Sequence, residues 1–256
     1  MRRRSAVTTA ALVLAATTGL ACAIEIPSAA PEDSQPAAPV TLEPSTTASE
    51  VLDMEDKYDS YDDMDEFVDE VVNAFMYPWV EDTWPGMRQP RVRFVESGER
   101  GREGCLDYDG EQAFYTSESY EYCQPDRTVY LGQDTVWEFF RLTGDAGPAI
   151  GIAHEFGHHI QYQLGVDPPY TAAESVDFEN QADCLAGVFT GWARDMDYLD
   201  DEDNDDLEDI EALFPLIASA EGDDRDHGTF QERRAAFYDG YDNGVRGCGL
   251  RALRAG

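Results

Sequence analysis

His154, Glu155, Phe156, Gly157 and His158 spell H-E-x-x-H, a string that ties residue type closely to one chemistry. On a helix over 148–164 the two histidines lie one turn apart on one face, within reach of a single Zn²⁺. Glu155 then stands beside the metal. There a carboxylate can take a proton from a water whose pKa the ion has lowered to about 7, and later deliver it to a leaving amine. That is the chemistry of peptide-bond hydrolysis. Gly147 and Pro148 open the predicted helix, Ile150, Ala153, Ile160 and Leu164 give it an apolar stripe, and Gly165 follows where a C-terminal cap belongs. The chain has 4 histidines, and those at 154, 158 and 159 all fall on this segment. His159 points about 100° around the helix from His158 and is expected to be a bystander.

A hydrolytic zinc site takes three protein ligands and leaves one position open, so a third ligand must come from elsewhere. Ser175 to Met196 predicts a second helix, with Phe178, Ala182, Leu185, Ala186, Phe189 and Trp192 at core-facing spacings. Its polar exceptions are Glu179 and Asp183, four apart on one face. Charges on the packed side of a helix are costly without partners. Glu179 as the third ligand, and Asp183 as acceptor of a ligand imidazole N–H, would supply them. A solvated face, or an ion pair with an arginine, is the alternative for these carboxylates.

HEFGHHIQ (154–161), ENQADCLAGVF (179–189), GDD (222–224) and HGTFQERRAAFYDG (227–240) together resemble the bacterial putative neutral zinc metallopeptidase family, which carries the gluzincin pattern HExxH followed by ExxxD. The resemblance runs from roughly residue 105 to 248. It implies His154, His158 and Glu179 as ligands of one Zn²⁺ per chain, Glu155 as the catalytic base, and Asp183 in support, and it draws attention to His227. This chain has Phe156 where the family usually has Tyr, Glu232 where it has Gln, and Ala236 where it has Trp. None of these removes an implied ligand or base.

A Gly-flanked histidine in an Asp-rich loop is commonly a surface residue, but His227 can also donate a hydrogen bond to a developing oxyanion. Arg233 and Phe237, on a predicted helix just beyond, would orient that loop through an ion pair and through packing. Tyr115, Tyr120 and Tyr122 are alternative donors, or simply half-buried strand residues.

The N-terminus bears on location. Arg2, Arg3 and Arg4 followed by the short apolar run Ala10 to Ala16 read as a secretory signal peptide over 1–23, too short to span a bilayer. Thr18 to Ala21 before Cys22 resembles a lipobox, with Gly19 where Leu is commonest, and predicts a lipid-anchored protein at the cell surface. Ala21 and Ala23 also fit an A-x-A site, which would give a freely secreted protein. Cys105, Cys123, Cys184 and Cys248 remain, an even number in an exported chain, so two disulfides are expected. Three pairings are open. Cys105 with Cys123 would close a local loop, and Cys184 with Cys248 would fasten the second zinc helix to the C-terminal segment.

Residues 24–56, rich in Pro, Ala, Ser and Thr, predict a disordered tether, and 57–256 one domain. Met64, Phe67, Val68, Val71, Val72 and Phe75 recur at helical spacing before breaks at Pro78, Pro85 and Gly86. Strands are predicted at Val92–Val95, Ala113–Thr116 and Thr128–Leu131, the last of which precedes the zinc helix. The expected fold class is α+β, a zincin-like domain that is mainly helical with a small sheet. A net charge of -35, still more negative once the three N-terminal arginines leave, argues against a nucleic-acid partner and favours cationic or neutral peptides. Asp195 to Asp209 predicts a solvated loop or helix face, since it lacks the glycine and ligand periodicity of a Ca²⁺ loop.

These residues predict an exported zinc endopeptidase acting on peptide or protein substrates, held to the membrane by its N-terminal lipid. The rivals are a surface binding protein with structural zinc, which needs no Glu155, and a zinc amidase acting on a non-peptide cell-wall bond, which would use the same residues.

Overall fold

The computed structural model describes residues 54, 57–106, 110–199, 205–220 and 225–250. The predicted signal segment with Cys22, almost all of the predicted tether, and the GDD string at 222–224 lie outside them. Met54 corrects the tether boundary. It is 2% exposed, belongs to the main core and donates its backbone N–H to Asp145, so packed residues begin ahead of position 57.

Helix α1 (Met64–Glu70) runs through a π-wound stretch, Val71–Met76, into α2 (Tyr77–Thr83), burying Phe67, Val71, Phe75 and Trp79. The break predicted at Pro78 does not occur. In the wider winding the N–H of Tyr77 bonds to Val72 O, and Pro78 falls in the first turn of α2, where a missing N–H costs nothing. The chain turns instead at Trp84, Pro85 and Gly86, with Gly86 at φ +80°.

Five strands follow: β1 (Arg91–Val95), β2 (Arg100–Leu106), β3 (Gln112–Thr116), β4 (Tyr120–Cys123) and β5 (Thr128–Gly132). β1 runs parallel to β5 and β4 antiparallel to it, giving the order β1-β5-β4, while β2 and β3 form a separate antiparallel pair with an irregular register between Arg102 and Leu106. Central β5 is buried throughout, as its apolar run requires. β5 precedes the helix that carries H-E-x-x-H, as expected, with one further helix between them. α3 (Gln133–Thr143) intervenes, burying Val136, Phe140 and Thr143 at spacings of four and three.

The other helices are α4 (Ala146–Leu164), α5 (Ala172–Asp195), α6 (Asp205–Ile217) and α7 (Phe230–Asn243). α4 ends on Gly165 at φ 74°, ψ 31°, and Val166 N–H reaches back to Gln161 O at 3.0 Å, which closes the last turn. α5 and α7 touch backbone to backbone: a Cβ on Gly240 would sit 1.8 Å from Cys184 O, and one on Gly187 1.9 Å from Phe237 O. The acidic run 195–209 leads into α6, which turns Ile210, Leu213 and Phe214 into the core. The architecture is thus helical with two small sheets. Both disulfide expectations hold, Cys105 to Cys123 and Cys184 to Cys248.

The first disulfide joins β2 to β4, and two residues before it on the same strands Glu103 and Glu121 are brought together. Burial, then the Glu121 charge, push the Glu103 carboxyl up to about 7. The folded protein therefore holds more protons than the unfolded chain between about 4.5 and 7. The stability this provides is complete at the acid end and is lost as pH rises through about 7. Glu103→Gln, neutral throughout, should gain stability relative to the parent protein between pH 5 and pH 8. Urea midpoints at the two pH values test this; an equal difference at both would show that folding does not raise the Glu103 carboxyl.

Candidate metal centre

α4 carries His154 and His158 on one face, and α5 brings Glu179 opposite them. His154 Nε2 lies 3.1 Å from Glu179 Oε2 and His158 Nε2 lies 3.4 Å from Glu179 Oε1. Ligand atoms of the three residues fall within 4.8 Å of one another. The close approach depends on Gly157, because a Cβ there would stand 3.1 Å from Ala182 O. Glu174, another carboxylate on α5, is engaged elsewhere: its side chain accepts from Thr171 Oγ1 and from the backbone of Tyr170 at the start of the helix.

The remote ring nitrogens fix the tautomers. His154 Nδ1 is 2.9 Å from Asp183 Oδ1, and His158 Nδ1 is 2.8 Å from Gln161 Oε1. A carboxylate oxygen and an amide carbonyl only accept, so both Nδ1 atoms donate and each Nε2 is the atom turned toward Glu179. The Gln161 amide has only this orientation, because its NH₂ donates to Phe178 O at 2.8 Å and to Gln181 Oε1 at 3.1 Å. Gln181 in turn donates to Cys248 O at 3.0 Å. Two imidazole Nε2 atoms and a carboxylate converging on one point form a donor set that, once deprotonated, suits a divalent cation, zinc above all.

The charges agree. Burial opposes a proton on His154, but the Asp183 and Glu179 carboxylates outweigh it and hold that group up at about 10. Burial also opposes charge on His158 and on Glu179, yet their mutual attraction wins, raising the His158 pKa and lowering that of Glu179. The protein has therefore arranged a site that draws in positive charge. Burial raises the Glu155 carboxyl, while the two histidines pull it back.

Asp183 has a second partner as well, the arginine ion pair that was the alternative for these carboxylates. Arg233, 2% exposed, donates from Nε to Oδ2 at 2.9 Å and from Nη2 to Oδ1 at 2.8 Å, and its Nη1 reaches Ile217 O at 2.8 Å. The ion pair expected of Arg233 is present, made with α5 and not with the loop that carries His227. Arg233 and His154 outweigh the burial penalty and keep Asp183 ionised. His227 comes to the same cleft, half-exposed, with Nε2 3.6 Å from Glu179 Oε2 and Nδ1 3.0 Å from Asp226 Oδ1. Gly228 permits this approach: a Cβ there would lie 2.3 Å from Asn180 Oδ1.

Two tyrosines on β4 bolt the strand to the zinc helix. Tyr120 OH donates to Pro148 O at 2.7 Å, and Tyr122 OH lies 2.9 Å from His159 Nδ1. His159, fully buried with Nε2 2.6 Å from Arg88 O, is therefore a structural anchor, and burial lowers its pKa. Tyr115 sits on β3, stacked on Tyr130, and does not line the cleft. Phe156 turns into the core against Tyr77. Glu232 completes a capping box with Thr229, a task that Gln performs as well. Beside Glu155 an apolar recess of about 270 Å³ opens off the cleft, walled by Phe139, Ile150, Leu213, Phe214, Ile217 and Phe237.

Asp183→Asn should leave the Arg233 guanidinium buried without a countercharge, at a cost of about 3–5 kcal/mol. Urea unfolding should show that loss, whereas Gln161→Leu, which removes no charge, should cost clearly less. Equal stability of Asp183→Asn and the parent protein would refute the coupling between Asp183 and Arg233.

The model of the family described as putative neutral zinc metallopeptidase matches residues 116–248. The uncharacterized protein YpfJ of Escherichia coli is 37% identical over 151 residues, covering 48% of this chain and 50% of that protein. The uncharacterized protein Rv2575 of Mycobacterium tuberculosis is 30% identical over 191 residues, covering 62% of this chain and 61% of that protein. The chain thus spans between half and two thirds of the length of these relatives. No solved structure matches it. The matched segment contains every residue of the cleft described above, and the chain belongs to the putative neutral zinc metallopeptidase family.

Proposed function

We propose that the protein is an exported zinc-dependent endopeptidase with a zincin-like catalytic domain of the gluzincin type, in which His154, His158 and Glu179 hold one Zn²⁺. The observation that carries this reading is the pairing of two inward-facing Nε2 atoms and one carboxylate with a separate buried carboxylate, Glu155, at the same cleft. A purely structural site has no use for that fourth group. When bound, zinc supplies Lewis acidity, acidifying water and polarising a carbonyl.

The side chains do the rest. Glu155, its basicity raised by burial, accepts a proton from the attacking water and passes it to the departing amine. His227 donates to the carbonyl oxygen as negative charge develops there, held in orientation by Asp226. Asp183 and Gln161 keep the two ligand imidazoles in the tautomer that presents Nε2. The cleft continues on both sides of the three ligands, which suits an extended chain cut internally.

Export rests on the N-terminal sequence, with Cys22 as the lipidated residue that tethers the domain to the membrane surface. The two disulfides support an oxidising compartment. Among the described residues no helix is long and apolar enough to cross a membrane.

Glu155→Gln should retain one equivalent of zinc while turnover falls at least about a hundredfold. Glu179→Ala should lose the metal, and His227→Ala should lower kcat by roughly 10² with metal content unchanged. Zinc quantification beside a peptide-library digest reads all three. A Glu179→Ala protein that keeps both zinc and activity would sink the ligand assignment.

A further inference from the structure

We propose, on the basis of the peptidase reading above, that the cleft has a second seat, across the metal centre from the apolar recess, for the aromatic or bulky apolar side chain of the residue that supplies the scissile carbonyl. Tyr162 is its specificity-determining wall.

His154, His158 and Tyr162 are spaced by four on α4, so the stripe that carries the two imidazoles continues one turn further into a ring that is 39% exposed. Together with Tyr122 from β4 and Phe178 from α5 this ring encloses a space of about 200 Å³, with Val166 and Pro168 from the turn after Gly165. Two of the three aromatic walls are fixed. Tyr122 is held by His159, and Phe178 stacks on the His158 ring at 5.1 Å with the planes 14° apart. The charged groups at the seat, His158 and Glu179, already face each other, so an incoming side chain finds no free charge to pair with. Apolar walls without a free charge favour an uncharged, preferably flat, side chain.

Position along the substrate follows from the neighbours. The recess borders His154 and Glu155, whereas the aromatic seat borders His158 and Glu179 and shares no residue with the recess. The central cleft touches both. Because Glu155 delivers the proton to the amine, the residue on the amine side lies toward the recess. The residue on the carbonyl side then lies toward Tyr162.

The test uses zinc-loaded Glu155→Gln protein and two peptides that differ only in Phe or Gly at the carbonyl-side position, both with Leu next to fill the recess. The Phe peptide should bind at least about tenfold tighter, the scale expected for burying an aromatic ring against aromatic walls. Adding Tyr162→Ala should cut that preference severalfold while zinc content and affinity for the Gly peptide stay unchanged, and Tyr162→Phe should restore it. Equal affinity for the two peptides, or a preference that survives Tyr162→Ala, would overturn the proposal. A wild-type protein that carries zinc but cleaves no library peptide would sink the peptidase reading alone, since the binding comparison still reports on the seat.

Discussion

Asp183 accepts at once from His154 Nδ1 on α4 and from two nitrogens of Arg233 on α7, and Arg233 passes the connection on to the last carbonyl of α6. Four helices therefore meet at one carboxylate that is nearly inaccessible to water. A buried ion pair of this kind contributes little net stability, because desolvating both charges offsets their attraction. Its effect lies in what it forbids: α5 and α7 cannot part without stranding a charge, and α4 or α6 cannot shift without breaking a buried hydrogen bond to it. The imidazole that faces the cleft is thereby aimed by the same contact that locks the helical layer, and precision at the site comes with the fold.

The sheet side is fastened by different means. β4 reaches α4 through Tyr120 and Tyr122, whose hydroxyls find partners two residues apart on the strand and about three turns apart on the helix. Alternate residues of a strand share a face, so the residue between them, Glu121, points the other way, toward β2 and the Cys105–Cys123 bridge. One short strand thus lines the cleft with one face and with the other sets exposed Glu121 against the buried Glu103 carboxyl. Such a pair is tolerable because the neighbouring disulfide holds the strands together whatever its charge.

Much of this was legible in the sequence where spacing carries chemistry. The HExxH and ExxxD periods placed His154, Glu155, His158, Glu179 and Asp183 on two facing helices, and the apolar period of 148–164 gave the zinc helix almost to the residue. What escaped has identifiable causes. Gln161 is a neutral amide one turn from His158, and nothing in composition distinguishes an amide holding a ligand from one on the surface. Arg233 read as a loop partner because the closeness of α5 and α7 comes from two glycines whose contact lies far apart in sequence. Pro78 looked like a helix break, and only the π winding before it lets the helix continue. β2, with charges and two glycines, has no alternation to read.

The cleft is gathered by packing, before any ion. Gly157 against Ala182 sets how closely α4 and α5 approach, and buried Phe156, Leu185 and Phe189 hold them there. Side chains brought together this way favour an arrangement that carries positive charge, since two imidazole nitrogens and a carboxylate share one small volume. The protonation of His154 expresses that tension, and a bound cation would relieve it by displacing the proton. Metal affinity should for this reason weaken in acid, where the cation competes with a proton that the carboxylates have already made hard to remove.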